Sequence, residues 1–221
     1  PGDVVIVPNP SYPIHAYGFI IAGATLSHLP VGPGVDLMSE LERAVKNSVP
    51  PPLALVLNFP SNPTTQLVDL EFYAEVVDFC RHHEIYVLSD LAYAEIYFDV
   101  DPPPSILQVP GARDIAVEFT SLSKTYAMPG WRIGFGVMPL ELVEPISRLS
   151  TNSVSCTASF TQMAVLEAMD GPQDEAYRIV DEFKKRRDII VKGLNEIPGI
   201  RCPMPKGAFY IFPSVKGTGM T

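Results

Sequence analysis

Apolar and polar positions follow one another along this chain in two distinct rhythms. Four short runs, DVVIV (3–7), LALVL (53–57), IYVLS (85–89) and IAVEF (115–119), are nearly unbroken apolar stretches rich in β-branched residues, each followed by turn or polar residues. Such runs predict strands buried on both faces of a mostly parallel sheet. Between two of them, over residues 69–83, the period changes to three and four. Leu70, Tyr73, Val76, Val77 and Cys80 then share one helical face, and Asp69 and Glu71 place negative charge at the first turn, where the helix dipole favours it. Strand, helix and strand in repetition predict an α/β layered domain.

After about residue 170 the pattern shifts. Ala176, Ile179, Val180, Phe183, Arg187, Ile190, Val191 and Leu194 recur at offsets of three and four, predicting one long amphipathic helix that Pro198-Gly199 ends. GAFYIFPSV (207–215) then reads as a strand. The expected organisation is a large domain over residues 1–170, with 171–221 forming a linker helix and the start of a smaller α+β domain. Prolines cluster at 50–52 and 102–104, which suits connections between elements rather than their interiors.

Composition narrows the classes. A chain of 221 residues that is 47% hydrophobic and 19% charged has the make-up of a soluble globular protein with a sizeable core. Its net charge of −9 argues against non-specific binding to nucleic acid or anionic membranes. Cys80, Cys156 and Cys202 are widely spaced with no CxxC, so a reducing, cytoplasmic location is expected rather than a disulfide framework. No apolar run approaches the roughly 18 residues of a spanning helix. The chain opens at Pro1 without a charged or apolar leader, and the expectation is the interior of a longer protein.

Candidate chemistry gathers at strand ends, where α/β sheets bind their ligands. VLNFPSNPTT delivers Asn62, YVLSDLAYAE delivers Asp90 and Tyr93, and VEFTSLSK delivers Ser121, Ser123 and Lys124. Each has an ordinary explanation as well: a surface lysine, a helix N-cap aspartate, an Asn-Pro turn. A dinucleotide site would need G-x-G-x-x-G after the first strand, and neither that motif nor a Walker loop occurs. His82-His83 lies at a predicted helix end with no third ligand nearby, and reads as a solvated terminus rather than a metal site.

Taken in order, PSNPT with Asn62, SDLAYAE with Asp90 and Tyr93, and SLSKTYAMPGWRIG with Lys124 and Arg132 resemble the class I/II aminotransferases of the fold-type I pyridoxal-phosphate enzymes. The resemblance runs along nearly the whole chain. NPSYPIHAYGFIIAGA and LNFPSNPTTQLVDLEF look most similar to the alanine-forming glutamate–pyruvate aminotransferases and their diaminopimelate relatives. It implies a three-layer, mostly parallel sheet and transfer of an amino group between an amino acid and a 2-oxo acid on pyridoxal 5'-phosphate, in a homodimer. By the same resemblance Lys124 is the Schiff-base lysine and the base that moves the substrate proton, a task for an amine whose surroundings favour its neutral form. Asp90 pairs with the pyridine nitrogen and keeps it protonated. Tyr93 and Asn62 donate to the ring oxygen, and Asn62 also helps hold the substrate carboxylate. Ser121, Ser123 and Arg132 hold the phosphate, which a guanidinium grips through two parallel hydrogen bonds. Tyr12 stacks on the ring, with Tyr17 and Phe19 as rivals.

Further expectations accompany the resemblance. A cis peptide is expected at Pro63, and Gly130 is expected to allow a tight turn ahead of Arg132. The polar run TNSVSCTASFTQ (151–162) lacks the arginine that classical aspartate enzymes carry there; Arg148 is not its equivalent, so side-chain specificity stays open. Compared with the family, the chain also lacks an N-terminal arm, a glycine-containing phosphate loop and the arginine for the substrate α-carboxylate. That implies a fragment with exposed apolar surface. A pyridoxal-phosphate lyase of the same fold, or an inactive truncated fold, would share these residues.

Overall fold

All four apolar runs are strands. In the computed structural model, which describes residues 1–219, they are β1 (Val4–Asn9), β3 (Pro52–Asn58), β4 (Tyr86–Asp90) and β5 (Ala116–Ser121). Two more join them: β2 (Thr25–Pro30) and β6 (Gly134–Val137). The sheet runs β2-β1-β3-β4-β5-β6, parallel throughout except for β6, which returns antiparallel to β5. Strands β1, β3, β4 and β5 therefore all end at one edge of the sheet.

Helices cover both faces. The predicted helix is α3 (Leu70–His82), capped by the Asp69 carboxylate, which accepts from the Phe72 amide at 2.9 Å. Such a cap contributes about 1 kcal/mol. Tyr73, Val76, Val77 and Cys80 of α3, with Leu41 and Ala44 of α2 (Leu37–Asn47), pack on Ile6, Leu55, Leu57 and Val87. The alternate residues Val5, Val7, Ala54 and Val56 face the other way and meet Phe19 of α1 (Ile14–Ile21). A period of two along each strand thus feeds two core layers, which is why these strands carry almost no polar residues.

The chain then passes through α4 (Leu122–Thr125), α5 (Leu140–Ser153), α6 (Ser159–Asp170) and α7 (Asp174–Asn195). The last is the predicted long helix. Its Arg187 is buried and fully engaged. It donates to Asp99 at 3.0 Å, to the Pro205 carbonyl at 3.1 Å and to Asp188 at 2.8 Å, and it lies over the Phe98 ring. A side chain with five donors can occupy an apolar helix position only when its donors are satisfied in this way. Lys184 of the same helix also pairs with Asp99.

The strand expected over 207–215 does not form. Its backbone makes only isolated bridges, Tyr97 to Gly207 and Arg201 to Ser214. Ala208 takes a φ of +57°, which breaks the extended path, Pro213 has no amide to donate, and among the described residues no strand runs alongside. Among the described residues no helix is long and apolar enough to cross a membrane.

Candidate active site

Because β3, β4 and β5 are parallel neighbours, Asn58 lies beside Asp90 and Asp90 beside Phe119 in register. The segments that follow these strands are therefore brought together. Asn58 fastens two of them: its side-chain nitrogen donates to the Asp90 carbonyl at 2.9 Å, and its Oδ1 accepts from the Asn62 amide at 2.8 Å. The Asn62–Pro63 peptide is cis, as expected.

Asp90 shows why an N-cap explanation is incomplete. Its Oδ1 does accept from the Ala92 amide at 3.1 Å, the local turn habit of aspartate. Its Oδ2 instead faces Nε2 of His15 at 2.8 Å, while a quarter of the side chain stays exposed at the sheet edge. His15 is buried, and its Nδ1 finds no hydrogen-bond partner among the described residues. This histidine belongs to α1 and was not among the sequence candidates; its signal is a lone polar residue inside IHAYGFII. Tyr12 stands edge-on to the His15 ring, with centroids 5.9 Å apart. Of its rivals, Phe19 packs into the sheet core and Tyr17 is exposed.

Tyr93 is buried, and its hydroxyl lies 2.5 Å from that of Tyr210. Burial first, with the Asp90 charge adding to it, pushes its ionisation well above the ordinary phenol range, so it stays protonated at any physiological pH. Lys124 leaves α4 with Nζ 5.8 Å from the Tyr93 ring centre and 5.6 Å from that of Phe209, within cation–π range of both. It makes no ion pair among the described residues. Phe209 and Tyr210 sit outside every strand-end motif, and nothing local in the sequence marks them.

Ser121 ends β5 and caps α4, its hydroxyl accepting from the Ser123 amide at 3.2 Å. Gly134, which opens β6, lies opposite Ser121; a Cβ there would come within 2.7 Å of the Thr120 carbonyl, so this approach requires glycine. Arg132, two residues earlier, is held in the left-handed region with φ 55°. One guanidinium nitrogen donates to the Pro129 carbonyl at 2.7 Å, and the group is otherwise unspent among the described residues. The tight turn expected at Gly130 does form, as the 3-10 turn Pro129–Trp131 in which the Trp131 amide donates to the Met128 carbonyl at 3.2 Å, but it does not depend on glycine. Ala127 and Arg132 carry the positive φ, and a Cβ on Gly130 would meet nothing within 4 Å.

The edge of the sheet thus presents a carboxylate backed by a histidine, an unpaired lysine between two rings, hydroxyls at a helix start and a largely unspent guanidinium. That donor set suits a small anionic aromatic ligand with a protonatable ring nitrogen. Comparison with known proteins points the same way. The profile of the family described as Aminotransferase class I and II matches residues 1–220. The glutamate-pyruvate aminotransferase AlaC of Escherichia coli is 48% identical over 214 residues, 97% of this chain and 52% of that protein. The LL-diaminopimelate aminotransferase of Desulforudis audaxviator is 40% identical over 215 residues, 97% of this chain and 55% of that one. The crystal structure of the aspartate aminotransferase from Rhizobium meliloti superposes with a TM-score of 0.91 at 32% identity, covering 98% of this chain and 55% of the other. The chain belongs to the class I and II aminotransferases, an α/β family of pyridoxal-phosphate-dependent enzymes. It spans about half the length of the curated relatives it matches.

Proposed function

We propose that the protein is a pyridoxal 5'-phosphate-dependent aminotransferase that moves an amino group between an amino acid and a 2-oxo acid. The observation that carries this reading is the convergence of Asp90, Lys124 and Arg132 at one sheet edge, with neither cation paired to a carboxylate among the described residues. Pyridoxal phosphate, when bound, supplies an aldehyde for an amine and a ring that accepts electrons from the substrate Cα. Lys124 supplies the amine that holds the cofactor and the base that carries the substrate proton. Asp90 holds a proton on the pyridine nitrogen, and His15 fixes the direction of its Oδ2. Tyr93 donates to the ring oxygen from a hydroxyl that burial keeps protonated. Asn62 donates beside it and helps hold the substrate carboxylate, its backbone anchored by Asn58. Ser121, Ser123 and Arg132 hold the phosphate, and Tyr12 stacks on the ring.

The same reading extends to the whole molecule. Residues 1–170 serve as the cofactor-binding domain and 171–221 as a linker helix and the start of a smaller one. The working form is a cytoplasmic homodimer with no nucleic-acid or membrane partner, a view its net charge of −9 supports. The names of the relatives make alanine, glutamate and diaminopimelate the first amino donors to offer. The test supplies pyridoxal phosphate, alanine and 2-oxoglutarate and measures pyruvate and glutamate together. Equal amounts of both are expected, with Lys124→Ala at background. Serine, whose β-hydroxyl can leave as water, is offered in parallel without a 2-oxo acid: pyruvate with free ammonia from serine, and no glutamate from alanine, would reject transfer in favour of elimination.

A further inference from the structure

Residues 206–210 reach the site from the far end of the chain and are fastened there. The Phe98 amide donates to the Lys206 carbonyl and the Ala208 amide to the Ile96 carbonyl, both at 2.8 Å. Gly207 lies so close to the loop after β3 that a Cβ would meet Leu67 at 3.0 Å and Pro60 at 3.1 Å. Ala208 is fully buried with Ile96 and Phe98. Beyond it Phe209 meets the Tyr93 ring edge-on, with centroids 5.2 Å apart, and leans on Phe183 of α7. Tyr210 meets the same Tyr93 ring at 5.5 Å and its hydroxyl at 2.5 Å.

We propose that Tyr210 is a positioning residue that acts through Tyr93: its hydroxyl donates to the Tyr93 oxygen and leaves the Tyr93 proton free for an acceptor in the site. Two hydroxyls share one hydrogen bond, so one proton lies between the oxygens and the other points away. Tyr210 is half-buried, and water can donate to its oxygen; Tyr93 is buried and has the site on its free side. The chain of donors therefore runs from solvent through Tyr210 to Tyr93, and an O–H whose oxygen accepts a bond is the stronger donor. Phe209, fixed by the same segment, forms the second ring beside Lys124. This inference rests on the cofactor reading for its acceptor, the ring oxygen, but the hydroxyl pair itself does not.

The experiment compares Tyr210→Phe, Tyr93→Phe and the double variant, all of which keep their rings. With pyridoxal phosphate added, the pH midpoint of the Lys124-dependent visible band is expected to rise by about half a unit to one unit in Tyr210→Phe, as a weaker donor stabilises the ring oxygen's charge less. Tyr93→Phe should shift it further, and the double variant no more than Tyr93→Phe alone. A purely structural Tyr210 would leave the midpoint in place, and an unmoved band overturns the proposal. Urea unfolding of the four cofactor-free proteins is read in parallel. It should show coupling of about fivefold in the unfolding constant. If the unsubstituted protein forms no Lys124-dependent band, the cofactor reading fails instead; the unfolding cycle then decides the pair, and additive effects overturn it.

Discussion

The two flanks of this sheet use similar amphipathic sequence and end in opposite states. At the centre of the sheet β1 and β3 are closed above and below, and Ile6, Val7 and Leu55, with Val87 of β4, lose essentially all contact with water. On the far side, β6 is exposed along its length and α5 has no buried residue. Leu140, Leu149, Phe160 and Met163 stand in solvent there. An apolar stripe specifies a helix face, but only a second surface turns it into a core. The candidate site sits on the closed flank, where rigid strands place its side chains, and its last strand contact, β5 with β6, marks the border.

That contrast can be broken most sharply by truncating one leucine on each side. Leu55→Ala, in the closed layer, should cost about 2–5 kcal/mol of unfolding free energy, with a cavity left between β3 and α3. Leu149→Ala on α5 should stay within about 0.5 kcal/mol. Equal losses in urea titrations of the two variants would show that the exposed flank is covered in solution. At the border itself, Gly134→Ala should cost about 1–3 kcal/mol, as the new methyl meets the Thr120 carbonyl, while Gly130→Ala should be neutral or slightly stabilising.

The smallest effect concerns Glu118, buried under the sheet where Ser105 donates to it at 2.7 Å and the Ile106 amide at 3.1 Å. Burial outweighs those bonds and raises its carboxyl pKa above the ordinary value of 4.5. A raised folded-state pKa favours the protonated native form. Its contribution is thus complete below the unfolded value and lost as pH rises through the folded one. Stability measured relative to Glu118→Gln should therefore fall from pH 4 to pH 7. A difference that grows over that range would reverse the assignment.

How much of this was legible depended on distance along the chain. Strands β1 and β3 announce themselves because burial on two faces leaves almost no room for polar residues, and β4 and β5 by the apolar residues that lead into their polar ends. β2 does not: TLSHLP is an edge strand, mostly open to solvent, and reads like a loop. The run 151–162 looked merely polar, yet residues through 153 close α5 and residues from 159 open α6. Thr151 and Ser153 return their hydroxyls to carbonyls four residues back, at 2.9 and 2.7 Å, satisfying polar groups within the helix. The segment 207–215 has strand composition, but a strand is defined by a neighbour. Within the site, Asn62, Asp90, Tyr93, Ser121 and Lys124 were legible as strand-end residues. Their supports were not: His15 meets Asp90 across 75 positions and Tyr210 meets Tyr93 across 117, separations that leave no local pattern.

The central claim is that Lys124 is the residue that takes the cofactor. Incubation with pyridoxal phosphate, borohydride reduction, proteolysis and mass spectrometry test it directly. The account predicts one phosphopyridoxyl group per chain, on the peptide carrying Lys124, with Lys124→Ala unlabelled under the same conditions. Label spread over Lys46, Lys184, Lys192 and Lys206, or undiminished in Lys124→Ala, would contradict it.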